Sequence, residues 1–343
     1  MRNPGNHADH VVGTTDDLEN LKSRIDQVAG SVRIQPPLTV QITPIPHPTH
    51  SERHILIVTV PASSSAPRMV DEKYWGRGAT GKRPLADVEV SRLFAERRGR
   101  RDDFRDRLEG LSTGLDPLHP APRRYAHLYV MAEPDSAPMR PPLTGALGSN
   151  PLQTVLDSVS FNPTWPPSLT SLRYWVGHPD GVALASVAHE RVMEDERYLL
   201  YLLVTDGGSV QLVSGQGTRP YGDKIGISVN YIMEIVHQML QLVAHLGSAY
   251  LQYGGTWSVG VHVQGLEGCL PSQALTESGM ASMRRFLPFQ AARYTRTATA
   301  TTTELAERTP AVVENLLRDL ARGVGLQDYF FPYTNPSKIS QKV

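Results

Sequence analysis

The residues with the clearest chemical potential lie between Tyr74 and Pro84. The run Tyr74-Trp75-Gly76-Arg77-Gly78-Ala79-Thr80-Gly81-Lys82-Arg83-Pro84 sets three cations among three glycines. Glycine lets backbone amides come close to an anion, and Arg77, Lys82 and Arg83 supply charge, a combination suited to phosphate. Tyr74 and Trp75 offer rings for base stacking, although aromatics in a short strand more often pack a core. Arg97, Arg98, Arg100 and Arg101 extend the basic character downstream, as a flank to the loop. From Gly76 to Arg107 ten basic residues stand against six acidic ones, a net of plus four. Each phosphate neutralised there would release counterions and make binding salt-dependent. The competing reading of the same pattern is a solvated helix laced with i to i+4 ion pairs, such as Arg98 with Asp102.

Other chemistries are weaker. Gly76-x-x-x-x-Gly81-Lys82 has P-loop spacing, but Arg83 stands where a Ser or Thr must hold magnesium, and Pro84 sits at the expected helix start. ATP binding is therefore a minor alternative. Glu234-x-x-His237 places a carboxylate and an imidazole on one helix face, without the second copy that a carboxylate-bridged metal site needs. His237 and His245 are only partly cofacial and His262 falls on a strand, so no zinc is assigned. There is no Gly-x-Ser-x-Gly elbow, and Cys269 has no base nearby in sequence. The Asp16-Asp17 and Asp102-Asp103 pairs suit a helix cap and an exposed helix better than the converging carboxylates of a metal-dependent nuclease. No catalytic residue, metal or cofactor is assigned, and a non-enzymatic protein is expected.

The elements around the basic loop resemble a known family. An apolar strand, Ile55-Leu56-Ile57-Val58-Thr59-Val60, stops at Pro61. A polar crossing follows, Ala62-Ser63-Ser64-Ser65-Ala66-Pro67, then the aromatic pair, the Arg-Gly turn, a basic-Pro step and an acidic helix start near Glu89. This order resembles the C-terminal half of the Schlafen AlbA-type domain, a bacterial DNA-binding module whose Schlafen relatives include endoribonucleases. The resemblance covers roughly the first hundred residues. Where the family has Arg-Gly-Ser-Ser-Thr, this chain has Arg77-Gly78-Ala79-Thr80-Gly81, and the family's paired glutamates and aspartate, from its N-terminal segment, find no match. The resemblance thus implies a nucleic-acid-binding protein, regulatory or defence-related and not catalytic by itself. An RNA-cleaving Schlafen-like nuclease is a weaker alternative. The rival from another class is a non-enzymatic interaction protein whose first domain supplies an oligomer interface.

Composition bounds these readings. The 343 residues suffice for one large domain or two ordinary ones. With 34 basic and 34 acidic residues, any nucleic-acid surface must be a local patch. Twenty-eight of the basic residues are arginine, which forks onto phosphate better than lysine does. One cysteine, Cys269, excludes an internal disulfide framework and fits a reducing compartment. Neither a signal-peptide core in Met1 to Val12 nor a membrane-length apolar run is found, so a soluble cytoplasmic protein is expected.

The supporting elements read as follows. His10 to Gly13 could end a strand. Asp16 and Glu19 have capping-box spacing, before a helix with Leu18, Leu21, Ile25 and Val28 on one face and Gly30 closing it. Leu38 to Ile45 alternates as a half-buried strand, and Ile55 to Val60 reads as a buried one. A charged helix follows Pro84 as far as Leu108. Gly110 to Arg124 reads as a Pro/Gly linker between a first domain over 1–109 and a second over 125–335. In the second, strands are expected at Tyr125 to Met131, Val182 to Val187, Tyr198 to Thr205, Ser209 to Val213 and Trp257 to Val263. Asp206-Gly207-Gly208 should turn a hairpin. Helices are expected over Leu152 to Val159, from Val229 to about Gln252 with Ser228 as its cap, and from Thr309-Pro310 to Gly323. The expected fold class is α+β, a partial Schlafen AlbA-like α/β module followed by a second mixed α+β domain.

Overall fold

The computed structural model describes residues 13–38, 40–60, 66–78, 81–118, 122–136, 143, 151–276 and 286–333. The expected strand tail at Val11 and Val12, the serine crossing at 61–65, the Ala79-Thr80 tip and most of the loop from Asp135 to Pro142 lie outside them. The fold is α+β, and the chain divides into two compact units, Met1–Arg100 and Arg101–Val343.

In the first unit α1 spans Leu18–Ala29, and its N-cap is Asp17, whose carboxylate accepts the Glu19 N–H at 3.1 Å. Asp16, the expected cap, instead donates its own N–H to the Thr14 hydroxyl. Gly30 ends the helix, its N–H donating to the Asp26 carbonyl. A short β1 (Ile34–Gln35) precedes β2 (Gln41–Pro46), which pairs antiparallel with β3 (His54–Thr59) in an isolated ribbon. A two-stranded ribbon lacks the layers needed to bury both faces. Ile57 and Val58 are accordingly exposed, so the strand at Ile55 to Val60 is half-buried and not buried as its composition suggests. The other sheet runs β1, β4 (Met69–Val70), β5 (Lys73–Gly78), β6 (Gly81–Pro84).

Helix α2 spans Asp87–Gly114 without interruption. Gly110 to Gly114, read from sequence as the start of a linker, are helical because Phe104, Leu108 and Leu111 continue an apolar stripe at three- and four-residue steps.

The second unit is built on a seven-stranded antiparallel sheet. Its strands are β7 (His127–Pro134), β8 (Tyr174–His178), β9 (Gly181–Ala185), β10 (Leu200–Thr205), β11 (Val210–Ser214), β14 (Thr256–Gln264) and β16 (Arg293–Thr301), in spatial order 16-14-7-11-10-9-8. A smaller sheet holds β12 (Thr218–Tyr221), β13 (Lys224–Ile227) and β15 (Leu270–Pro271). Alternation sends Leu128, Val130 and Ala132 of β7 to one face, where α3 (Pro151–Ser158), the long α5 (Val229–His245), α7 (Thr302–Glu307) and α8 (Thr309–Gly323) complete the main core. Two short helices, α4 (His189–Glu194) and α6 (Gln273–Thr276), lie between these in the chain. Tyr129 and Met131 face the other way, onto Phe104, Leu108, Leu111, Leu115 and Leu118.

The Asp206-Gly207-Gly208 hairpin forms between β10 and β11, with Gly208 at φ 83°. Pro310 opens α8, and Val313, Leu316, Leu317 and Leu320 are buried as their spacing requires. Ser228 precedes α5 but its hydroxyl makes no cap and is buried without a partner. Among the described residues no helix is long and apolar enough to cross a membrane.

Candidate nucleic-acid interface

The basic glycine segment is a β-hairpin. Register pairs Trp75 with Pro84, Gly76 with Arg83, Arg77 with Lys82 and Gly78 with Gly81. Side chains of directly paired residues share a face, and successive residues alternate. Lys73, Trp75, Arg77 and Lys82 therefore lie on one face, and Lys73, Trp75 and Arg77 are the exposed positions of β5. Trp75 is 37% exposed, its indole N–H donates to the Val70 carbonyl at 3.1 Å, and the Lys82 ammonium sits 5.2 Å from its ring centroid. Such a cation–π contact holds a lysine over a flat ring without neutralising it. Among the described residues Lys73, Arg77 and Lys82 make no ion pair.

Arg83 belongs to the opposite face. Its guanidinium forks onto Glu89 at 2.7 and 2.5 Å, and Glu89 also accepts the Ala86 N–H at 2.9 Å. The second of these is half of a capping box, so Arg83 is tied to the start of α2. Hydrogen bonding by Arg83 holds the Glu89 carboxyl down at about 2. Tyr74 is on this face too, half-buried with its ring edge-on to Phe94 at 5.9 Å, which removes it as a stacking platform. A Cβ on Gly76 would lie 2.3 Å from Leu85 Cδ2, so a larger residue there would force the Leu85 side chain to shift. The trio expected to act together is thus divided, with Arg77 and Lys82 outward and Arg83 structural.

The arginines of α2 are also divided. At 100° per residue, Arg98 and Arg100 fall about 160° apart, on opposite flanks of the stripe that contains Arg97. Arg97 is half-buried while Arg98, Arg100 and Arg101 are exposed. Arg101 borders a cleft with Phe104, Ser258 and Arg296. Nearby cations are matched by acids: Arg92 with Glu96 at 3.5 Å, Arg105 with Glu109 at 3.1 Å and Arg107 with Glu133 at 2.6 Å. The expected Arg98–Asp102 pair is not among the ion pairs of the described residues.

The other sequence candidates have structural partners. Gly76 to Arg83 forms a strand pair and not a strand-loop-helix phosphate cradle. Glu234 accepts the N–H groups of Thr164 and Trp165 and the Gln238 amide, while His237 Nδ1 lies 3.2 Å from the Tyr333 hydroxyl. His245 contacts the Ser158 hydroxyl at 2.8 Å, and His262 the Thr295 hydroxyl at 2.8 Å. Among the described residues no three His, Cys, Asp or Glu side chains are grouped to hold a metal ion.

One polar cluster has no sequence signal. His127, at 0% exposure, sits between Asp116 Oδ2 at 2.5 Å and Glu196 Oε2 at 3.1 Å. The same Asp116 oxygen accepts the Tyr129 hydroxyl at 2.8 Å and is 3.3 Å from Arg123, while Glu196 Oε1 accepts the N–H groups of Arg124 and Tyr125. Burial disfavours the protonated His127 ring, but the hydrogen bonds to the two carboxylates outweigh it and raise its pKa. Its partners are 11 and 69 residues away, beyond any local motif.

Compared with known proteins, the chain matches no family model, no curated protein and no solved structure.

Proposed function

We propose that the first unit binds nucleic acid through the outward face of the β5–β6 hairpin, as an AlbA-type module that is regulatory or defence-related and not catalytic by itself. The observation that carries this reading is the Lys82 ammonium poised 5.2 Å over the exposed Trp75 ring, beside Arg77. Lys73, Arg77 and Lys82 supply phosphate contacts, and the exposed ring of Trp75 supplies a sequence-tolerant stacking surface. The order of elements that resembles the AlbA-type domain supports the same assignment. Arg83 and Tyr74 act in this scheme by holding the hairpin against the start of α2, and no nucleic-acid contact is assigned to Arg97, Arg98, Arg100 or Arg101. Fluorescence anisotropy with a labelled duplex and a labelled single strand at low salt tests it. Arg77→Ala and Lys82→Ala should each weaken binding several-fold, Trp75→Ala should weaken the single strand more than the duplex, and an absence of binding to either ends the proposal.

A second reading, assembly of identical chains, is favoured by one observation. Strand β8 ends the seven-stranded sheet and exposes Tyr174 and Trp175, the latter at 70%. An edge strand with unpaired backbone groups and exposed aromatics is a pairing template. Sedimentation of the wild type against Trp175→Lys separates the two readings, since nucleic-acid binding alone predicts a monomer for both.

A further inference from the structure

The second unit contains a cleft of about 420 Å³ bordered by Pro166, Ser171, Ser186, Tyr198, Gln216 and Arg219. That volume falls within the range of small-molecule sites. Arg219, from β12, is the chemically unusual member. Its guanidinium carbon lies 4.8 Å from the centroid of the Tyr231 ring and 5.7 Å from that of Trp165. One of its N–H groups donates to the Pro166 carbonyl at 3.0 Å, which fixes the plane of the fork. Aromatic faces hold a guanidinium in place while leaving its in-plane donors open.

Among the described residues Arg219 has no ion-pair partner. Glu234 is close enough to act on it through space, but its Oε1 accepts the Thr164 and Trp165 N–H groups, its buried Oε2 has no hydrogen-bond partner, and no hydrogen bond or ion pair joins it to Arg219. Burial also pushes the Glu234 carboxyl up, which makes it a poor counter-ion. The second arginine of the cleft, Arg197, is already neutralised by Asp195 at 2.6 Å. Gln216 lines the wall at 6% exposure, with its amide donating to the Arg197 carbonyl at 2.6 Å and its own carbonyl oxygen unpartnered. A half-buried cation normally has a counter-charge, and a buried acceptor normally has a donor.

The geometry points to a binding site for a small organic oxyanion, its phosphate or carboxylate forked by Arg219 and its body lying in the cleft against Tyr198. The proposal is independent of the nucleic-acid reading, which rests on the other unit.

Isothermal titration of the full-length protein with 5′-AMP, inorganic phosphate and succinate, one at a time, tests it. At least one should bind saturably with one site per chain. Preference for the first two assigns a phosphate ligand, and preference for succinate a carboxylate. Arg219→Gln should weaken that binding at least tenfold. Ser171→Glu, which retains Arg219 and brings a carboxylate into the cleft, should abolish it with an unchanged far-ultraviolet circular dichroism spectrum. Arg77→Ala should leave it intact. Failure of all three probes to bind, survival of binding in Ser171→Glu, or its loss in Arg77→Ala overturns the proposal.

Discussion

His127 occupies a position where burial and charge oppose each other. Both ring nitrogens lie beside carboxylate oxygens, from Asp116 and Glu196, and the raised pKa means the folded state prefers the imidazolium. Its contribution to stability is therefore complete below the unfolded value of about 6.5 and lost as pH rises through the higher folded value. Asp116 has the opposite sign. Its carboxyl is held low, chiefly by the His127 hydrogen bond against the burial penalty, so its contribution is present above about 3.9 and lost as pH falls through its folded value. His237 and His262 are buried and pushed down to about 4, and they cost stability as pH falls from about 6.5 towards that value. Removing one partner of a buried charged pair costs about 3–5 kcal/mol. His127→Gln should lower stability by about that amount near pH 6, and the gap from wild type should narrow towards pH 9. Thermal unfolding of both proteins across this range checks the claim, and a gap that stays constant would show that His127 is neutral in the fold.

At the scale of elements, the C-terminal half of α2 shows how packing overrides local signals. Leu108 is fully buried, and a Cβ on Gly260 of β14 would lie 2.6 Å from Leu108 Cδ2 and 3.0 Å from Phe104 Cε1. Leu108→Ala should cost about 2–5 kcal/mol through lost burial and a residual cavity. Gly260→Ala should cost about 1–3 kcal/mol through overpacking. Because the methyl of one change enters the space left by the other, the double variant should be more stable than the two losses added together, a coupling that denaturant unfolding measures. The same helix shows what sequence could and could not reveal. Gly110 and Gly114 look like linker residues, yet the spacing of Phe104, Leu108, Leu111 and Leu115 carries the apolar stripe past Gly110. Elements set by local chemistry were legible: the Asp206-Gly207-Gly208 turn, the Pro310 helix start and the apolar α5. Strand order and the two-stranded isolation of β3 depend on distant pairing, and no periodicity contains them. At the candidate interface the residue types were readable, but the division of Arg77 and Lys82 from Arg83 needed the hairpin register.

Across the whole molecule the formal charges cancel, 34 basic against 34 acidic. With no net charge the long-range attraction for a polyanion is weak, so the salt dependence reports chiefly the contacts made at a local patch. The hairpin face offers three cations free of ion pairs among the described residues, Lys73, Arg77 and Lys82. Three phosphate contacts on a duplex correspond to a slope of about −2.7 in log K against log salt. Arg77→Ala or Lys82→Ala should each reduce the magnitude of that slope by about one. Arg83→Ala should lower the unfolding temperature by cutting the tie between the hairpin and Glu89 at the start of α2, and leave the slope unchanged. Lys224→Ala, an exposed cation on β13 of the second unit, should change neither. Anisotropy titrations at several salt concentrations read all four variants, and a slope that falls equally for Arg83 and Lys224 would mean that diffuse charge, and not the hairpin face, holds the nucleic acid.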